Sequence, residues 1–209
     1  RAIRRAKLPA AYSEGFNPHL KFSLASALGV GVVSYTEFVE IELAEPMEVE
    51  KAALALDAAL PRGIRVLAAD AVDTHHAALM SQAAGASYRV TLPYSKDVSA
   101  AVAEFNAAPE LLFKKAAPNT KAKFKEIDVK FYIPQLTAEQ TEKETIFSFD
   151  CKITPTGSMK AVDLLNALNE QYGLALPVEM ADIERLRLYR NNKNGKPIPM
   201  LNSDAVTLG

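Results

Sequence analysis

Apolar residues recur along the chain in two rhythms, one of two residues and one of three to four, and the rhythms take turns. Arg1-Ala2-Ile3-Arg4-Arg5-Ala6-Lys7-Leu8 is a helix-forming run that stops at Pro9; it has no start signal and reads as the back half of a helix. Residues 10–21 form a loop carrying Gly15, Asn17 and Pro18. Over residues 22–30, Phe22, Leu24 and Leu28 alternate with Ser23, Ala25 and Ala27, which predicts a strand, and Gly29 and Gly31 predict a bend. Residues 36–43 alternate more cleanly: Val39, Ile41 and Leu43 should face in, Glu40 and Glu42 out. Val49, Ala52, Ala53, Leu56 and Leu60 then form a helical stripe behind Glu48 and Glu50, whose charges suit the positive end of the helix dipole. Pro61-Arg62-Gly63 turns the chain into a strand over 64–68. The order is helix, strand, strand, helix, strand, and one strand before Arg1 would complete βαββαβ, the ferredoxin-like order.

The order then repeats. Tyr88, Val90 and Leu92 alternate in a strand, and Ser95 is placed to cap a helix with the stripe Val98, Ala101, Val102 and Phe105. Ile127, Val129, Phe131 and Ile133 predict a strand ending at Pro134, with Phe147, Phe149, Cys151 and Ile153 as its hairpin partner. Met159, Val162, Leu165 and Leu168 predict a helix, and residues 184–190 a last strand through Leu186 and Leu188. The expected fold is therefore α+β: two tandem ferredoxin-like units with antiparallel sheets, the first at 1–72 without its opening strand, the second at 87–191. An alanine-rich connector with Asp73, His75 and His76 spans 73–86, and a turn-rich, flexible tail spans 192–209, mobile past Pro199.

Composition narrows the picture. At 209 residues, 49% apolar and 23% charged, the chain suits one large domain or two smaller ones and not wholesale disorder. Its one cysteine, Cys151, excludes an internal disulfide, a cysteine-rich zinc site or an iron–sulfur cluster held within these residues alone. No apolar run approaches the ~20 residues that cross a bilayer, so the expected location is cytoplasmic, with no membrane partner and no cofactor. The net charge of −1 is segregated. Residues 1–22 carry a net +4, residues 23–84 a net −6, residues 85–135 a net +3 and residues 136–209 a net −2. Polyanion binding depends on local basic patches, so near-neutrality leaves RNA open as a partner.

The most distinctive stretch is Arg4-Arg5-Ala6-Lys7-Leu8-Pro9 followed by Tyr12-Ser13-Glu14-Gly15-Phe16-Asn17-Pro18-His19-Leu20-Lys21-Phe22. It resembles a bacterial family of uncharacterised domains found alone or attached to radical SAM enzymes with cobalamin-binding regions. That family has a similar R-R-x-x-L-P, then Y-S-E-G-F-N-P, a strand and G-V; Gly29-Val30-Gly31-Val32, the strand around Glu40-Ile41-Glu42-Leu43 and Lys125-Glu126-Ile127-Asp128 continue the match. Members usually begin with a strand and a fuller helix, including a histidine-bearing segment, which does not occur in these residues. The resemblance implies company with a radical SAM/cobalamin-binding enzyme and with RNA-processing genes, and no set reaction.

Physically, Tyr12 and Phe16 offer π-faces, Arg4, Arg5, Lys7 and Lys21 offer phosphate-binding charge, and Ser13, Asn17 and His19 offer hydrogen bonds. Basic groups interleaved with aromatics suit unstacked RNA. The competing reading is structural: Gly15 for a positive φ, Asn17-Pro18 for a turn, Tyr12 and Phe16 packed beneath the loop; a protein partner is a third. The binding site expected is Arg4, Arg5, Lys7, Tyr12, Ser13, Glu14, Gly15, Phe16, Asn17, Pro18, His19 and Lys21, in a non-catalytic RNA-binding or substrate-presenting accessory protein. The enzymatic alternative is metal-independent RNA cleavage with His19 and Tyr12 as the acid–base pair.

Other features have simpler accounts. His75, His76 and Asp73 lack metal-ligand spacing and read as surface connector. Glu40 and Glu42 read as a solvated strand face, and Cys151 as core. Thr154-Pro155-Thr156-Gly157-Ser158 opens a helix that Thr156 or Ser158 would cap. Lys114, Lys115, Lys121, Lys123 and Lys125 form a second basic tract around Pro118-Asn119-Thr120, and Arg185, Arg187 and Arg190 a third group; if the three basic regions converge, they make an extended groove.

Overall fold

The structure, a computed structural model, describes residues 1–73, 75–117 and 123–208. In chain order the elements are helix α1 (Ala2–Arg5), strands β1 (Phe22–Leu24), β2 (Val32–Ser34) and β3 (Val39–Ile41), helix α2 (Val49–Ala59), strand β4 (Ala68–Ala69) and helix α3 (Leu79–Gln82). Then come β5 (Gly85–Pro93), α4 (Ser99–Ala107), β6 (Leu112–Ala116), β7 (Phe124–Asp128), α5 (Val129–Tyr132), β8 (Leu136–Gln140), β9 (Glu144–Thr154) and β10 (Gly157–Ser158). The series ends with α6 (Ala161–Tyr172), β11 (Asp182–Asn191), β12 (Pro197–Pro199) and β13 (Val206–Thr207). The fold is mixed α+β. The chain divides into two compact units, neither continuous in sequence: Arg1–Ser26, Phe38–Gln82 and Ile198–Gly209 make one, Ala27–Glu37 and Ala83–Pro197 the other.

In the first unit β1 and β3 pair antiparallel, Phe22 opposite Ile41 and Leu24 opposite Val39. That register puts four apolar side chains on one face and Ser23 and Glu40 on the other. The expected strand over 22–30 ends at Leu24. The expected strand over 36–43 shortens to three residues, and Val39, read as inward, is 46% exposed. α2 forms as the stripe predicts and buries Ala53, while Leu54 is exposed. Of the strand expected over 64–68, Ala68 alone falls in β4, which takes in Ala69 and pairs with β13; Leu208 adds its N–H on the Leu67 carbonyl. The tail that the turn residues suggested would be mobile past Pro199 thus carries a strand, and Met200 within it is buried.

In the second unit β5 is central. It pairs antiparallel with β9 on one side and β11 on the other, and β8 pairs antiparallel with the far edge of β9. Between β5 and β8 the chain runs through α4, and between β9 and β11 through α6. One sheet face carries Val90, Leu92, Leu136, Phe147, Phe149, Cys151 and Ile183, and both helices bury against it through Val98, Ala101, Phe105, Leu164, Leu165 and Leu168. At ~25 cal/mol per Å² of apolar surface removed from water, this cluster is the main source of stability in the unit. β2 adds to β11 in parallel, Val32 opposite Ile183.

Three local readings are corrected here. The alternation at 127–133 is not one strand. The Asp128 carboxylate accepts the Lys130 N–H at 2.9 Å and the Leu111 N–H at 3.1 Å, capping α5 and ending β7. Val129 and Ile133 are buried and Phe131 is exposed, so four-residue spacing governs, and the hairpin partner of β9 is β8. At 154–158 the chain makes a hairpin turn, with Gly157 opposite Thr154 and Ser158 opposite Ile153, and the N-cap of α6 is Lys160, neither Thr156 nor Ser158. Likewise Asp97, rather than Ser95, receives the Ser99 N–H at the start of α4.

Candidate functional site

The segment 9–22 lies in the first unit, and its backbone is heavily cross-linked. Ala44 N–H donates to the Pro9 carbonyl (2.7 Å), Ala11 N–H to Glu42 (2.8 Å), Lys21 N–H to Ala11 (2.9 Å) and Glu42 N–H to Lys21 (3.1 Å). Tyr12 and Leu20 form a bridge pair above them. Beyond it the neck of the loop is closed twice: Ser13 N–H donates to the His19 carbonyl at 2.8 Å, and His19 N–H to Ser13 Oγ at 2.9 Å. The tip therefore stands on a preformed base.

At that tip Gly15 has φ +117°, with open space where a Cβ would sit, so the demand for glycine is in the backbone and not in packing. Its neighbour Phe16 is 101% exposed, as open as in an extended chain. Glu14, Asn17, Pro18 and His19 are exposed beside it, Ser13 is half-buried and Tyr12 is 43% exposed. Phe16 is not packed beneath the loop. Among the described residues no hydrogen bond joins the side chains of Tyr12 and His19, the acid–base pair that cleavage would need.

The basic residues of the site divide by what holds them. Arg5 donates from Nη2 to the Ala59 carbonyl at 2.7 Å, at the C-terminus of α2, where a cation meets the negative end of the helix. Lys21 Nζ is 2.8 Å from Glu42 Oε1, both half-exposed. That hydrogen bond and charge hold the Lys21 ammonium above its ordinary range, with Glu14 adding to it. Arg4 and Lys7 are exposed, Lys7 at φ 52° where the chain leaves α1.

The remaining candidates are mostly engaged internally. Glu40 and Glu42, expected to be solvated, each have a partner: Glu42 has Lys21, and Glu40 Oε2 lies 3.0 Å from His76 Nε2 and accepts the Leu79 N–H at 3.2 Å. His75 N–H donates to Asp73 Oδ1 (2.7 Å), and His76 Nδ1 lies 2.5 Å from the Asp73 carbonyl, so these residues build a turn. Among the described residues no group of three or more His, Cys, Asp and Glu side chains is placed to hold a metal ion. Burial pushes the Cys151 thiol up to about 11, which makes it inert at neutral pH.

Arg185 is 1% exposed; its Nε and Nη2 bind the two Glu37 oxygens at 2.9 and 2.5 Å. Arg187 Nε donates to Ser87 Oγ at 2.8 Å, and Ser87 donates to Asp150. Arg185 is therefore closed off from solvent, while Arg187 is exposed. Lys121 and Pro118-Asn119-Thr120 lie outside the described residues. Lys114, Lys123 and Lys125 are exposed, and Lys115 Nζ is 2.6 Å from Asp163 Oδ2. Strand β6 went unread in the sequence; the pairs Lys114-Lys115 and Lys123-Phe124-Lys125 on either side of Pro118 and Asn119 were the available signal.

A family model described as an uncharacterized protein conserved in bacteria (DUF2344) matches residues 1–163. The chain belongs to this family. The match includes the whole of the Tyr12 to Lys21 loop and reaches into α6. It agrees with the resemblance of the loop motif as far as a bacterial family. None of the curated proteins matches the chain. No helix among the described residues is long and apolar enough to cross a membrane.

Proposed function

We propose that the loop from Tyr12 to Lys21 is a contact surface for single-stranded RNA, in a non-catalytic protein that holds or presents its nucleic acid. The observation that carries this reading is Phe16, fully exposed on a loop whose neck is closed by the Ser13–His19 bonds. Keeping an aromatic ring in water forgoes roughly 1.5–3 kcal/mol of burial, and a base stacking on it recovers part of that. A pre-ordered loop also loses little entropy on binding. Tyr12 offers a second π-face, and Arg4 and Lys7 offer charge for phosphates; Arg5 is held on the end of α2 and Lys21 on Glu42. Company with a radical SAM/cobalamin-binding enzyme rests on the loop motif alone.

We also read the second unit as ferredoxin-like. Its support is the sequence strand, helix, strand, strand, helix, strand through β5, α4, β8, β9, α6 and β11, with sheet order β8-β9-β5-β11 and all three pairings antiparallel. For the first unit the reading rests on the order of elements only.

Binding of an unstructured RNA oligonucleotide by fluorescence anisotropy tests the functional reading. Phe16→Ala is expected to weaken it by about 1–3 kcal/mol, at least several-fold in Kd, with no change in thermal stability. Equal affinity for Phe16→Ala and wild type would sink it.

A further inference from the structure

The β6–β7 hairpin contains a pairing that works against its own stability. Lys115 and Lys125 sit directly opposite each other, and the register continues one step outward, where Ala117 N–H donates to the Lys123 carbonyl at 2.8 Å. Like charges directly opposite on one face of a hairpin repel. Only one of the two is answered: Lys115 meets Asp163 on α6 at 2.6 Å, while Lys125 has no ion pair or hydrogen bond among the described residues. The acidic residues of the hairpin do not help. Glu126 is across from Lys114, on the opposite face, and the Asp128 carboxylate is taken by the N–H groups of Leu111 and Lys130. Local conflicts of this kind collect where function asks for them.

We propose that this face, carrying Lys115 and Lys125 with exposed Lys123 next to it in the chain, binds the phosphate backbone of a single-stranded RNA. Lys123 precedes β7 at φ 57°, exposed beside this face and outside the strand's alternation, so it extends the basic surface one residue past Phe124. Exposed Phe124, between Lys123 and Lys125 in sequence, points to the other face with Lys114 and leaves the lysine face open to the backbone. A phosphate between Lys115 and Lys125 also removes the repulsion that the free hairpin carries. The proposal rests on the RNA reading above and names an RNA-contacting surface within the second unit.

The test is anisotropy of an oligouridine on the full chain across a salt series, comparing wild type, Phe16→Ala, Lys123→Ala/Lys125→Ala and Lys125→Glu, with melting temperatures measured without RNA. The double variant should lower the slope of log affinity against log salt by about 1.4, two single-strand phosphate contacts. Lys125→Glu should weaken binding and raise the melting temperature of the free protein, because it turns the repulsive pair into an attractive one. A double variant with wild-type slope while Phe16→Ala still weakens binding overturns the hairpin site and spares the loop. A silent Phe16→Ala with weakened hairpin variants does the reverse. Wild type that binds no RNA at low salt overturns both, and competition by polyglutamate as effective as by RNA overturns the choice of partner.

Discussion

The second unit buries Phe105, Phe147, Leu136, Leu164, Leu165 and Leu168 completely, whereas the buried apolar residues described in the first unit are Ala25, Ala53 and Met200. Phe16, Phe22, Leu24, Leu54, Ile64 and Leu67 of the first unit are all more than two-fifths exposed. Hydrophobic stabilisation scales with apolar area removed from water, so the second unit holds itself by packing, and the first relies on backbone hydrogen bonds and surface ion pairs. Regions with few buried contacts open first, and binding loops are drawn from them. The expected recognition loop is in the unit with the smaller core, tied down at its neck and not by packing.

That contrast can be tested by comparing like substitutions. Phe147→Ala, at a fully buried position, should cost about 3–5 kcal/mol in urea unfolding, and Phe22→Ala, at a half-exposed one, below about 1 kcal/mol. Similar costs at both sites would mean that the first unit has a core of its own. Next in size, Glu37→Ala leaves the buried Arg185 guanidinium without its carboxylate and should cost about 3 kcal/mol. Replacing both residues with methionine should recover much of the loss, as a double-mutant comparison would show.

Gly85→Ala should cost about 1–3 kcal/mol, because a Cβ there would stand 2.2 Å from Tyr189 Oη and 2.4 Å from its ring. Tyr189→Leu in the same chain should relieve the clash, and Tyr189→Phe should not. A smaller effect concerns the first unit at acid pH. The Arg65 guanidinium and then the Val66 N–H hold the Asp57 carboxyl below the usual carboxylate range. A depressed folded value means that its contribution is complete above the unfolded pKa of about 3.9 and fades as pH falls through the lower folded value. Melts of Asp57→Asn between pH 5 and 2 should therefore show a shallower acid loss than wild type, with the difference vanishing at the acid end.

Much of this was legible in the residues. The stripe of α4 and the alternation of β5 and β9 announce their elements because each has one buried face, and period is the imprint of a face. The 127–133 run misleads because Val129 and Ile133 satisfy a spacing of two and of four equally, and only the Asp128 cap decides between them. In β11 a bulge between Arg185 and Arg187 resets the alternation, so Leu188 is buried and Leu186 is not. No local pattern marks an arginine that will be buried against a glutamate 148 positions away. At the loop, Gly15 and Asn17-Pro18 announced a turn, but the same letters fit an aromatic tucked beneath it and one held out in water.

By itself, then, the sequence determined the α+β class, membership of a conserved bacterial family, and the helices and strands whose apolar faces are regular, because those depend on short-range period and local chemistry. The tertiary structure alone decided which faces are covered, that residues 27–37 belong with β11, that Arg185 is buried and Phe16 is not, and that Lys115 faces Lys125. Burial, ion pairing and cross-strand register are properties of residues far apart in the chain, and nothing in a local window carries them.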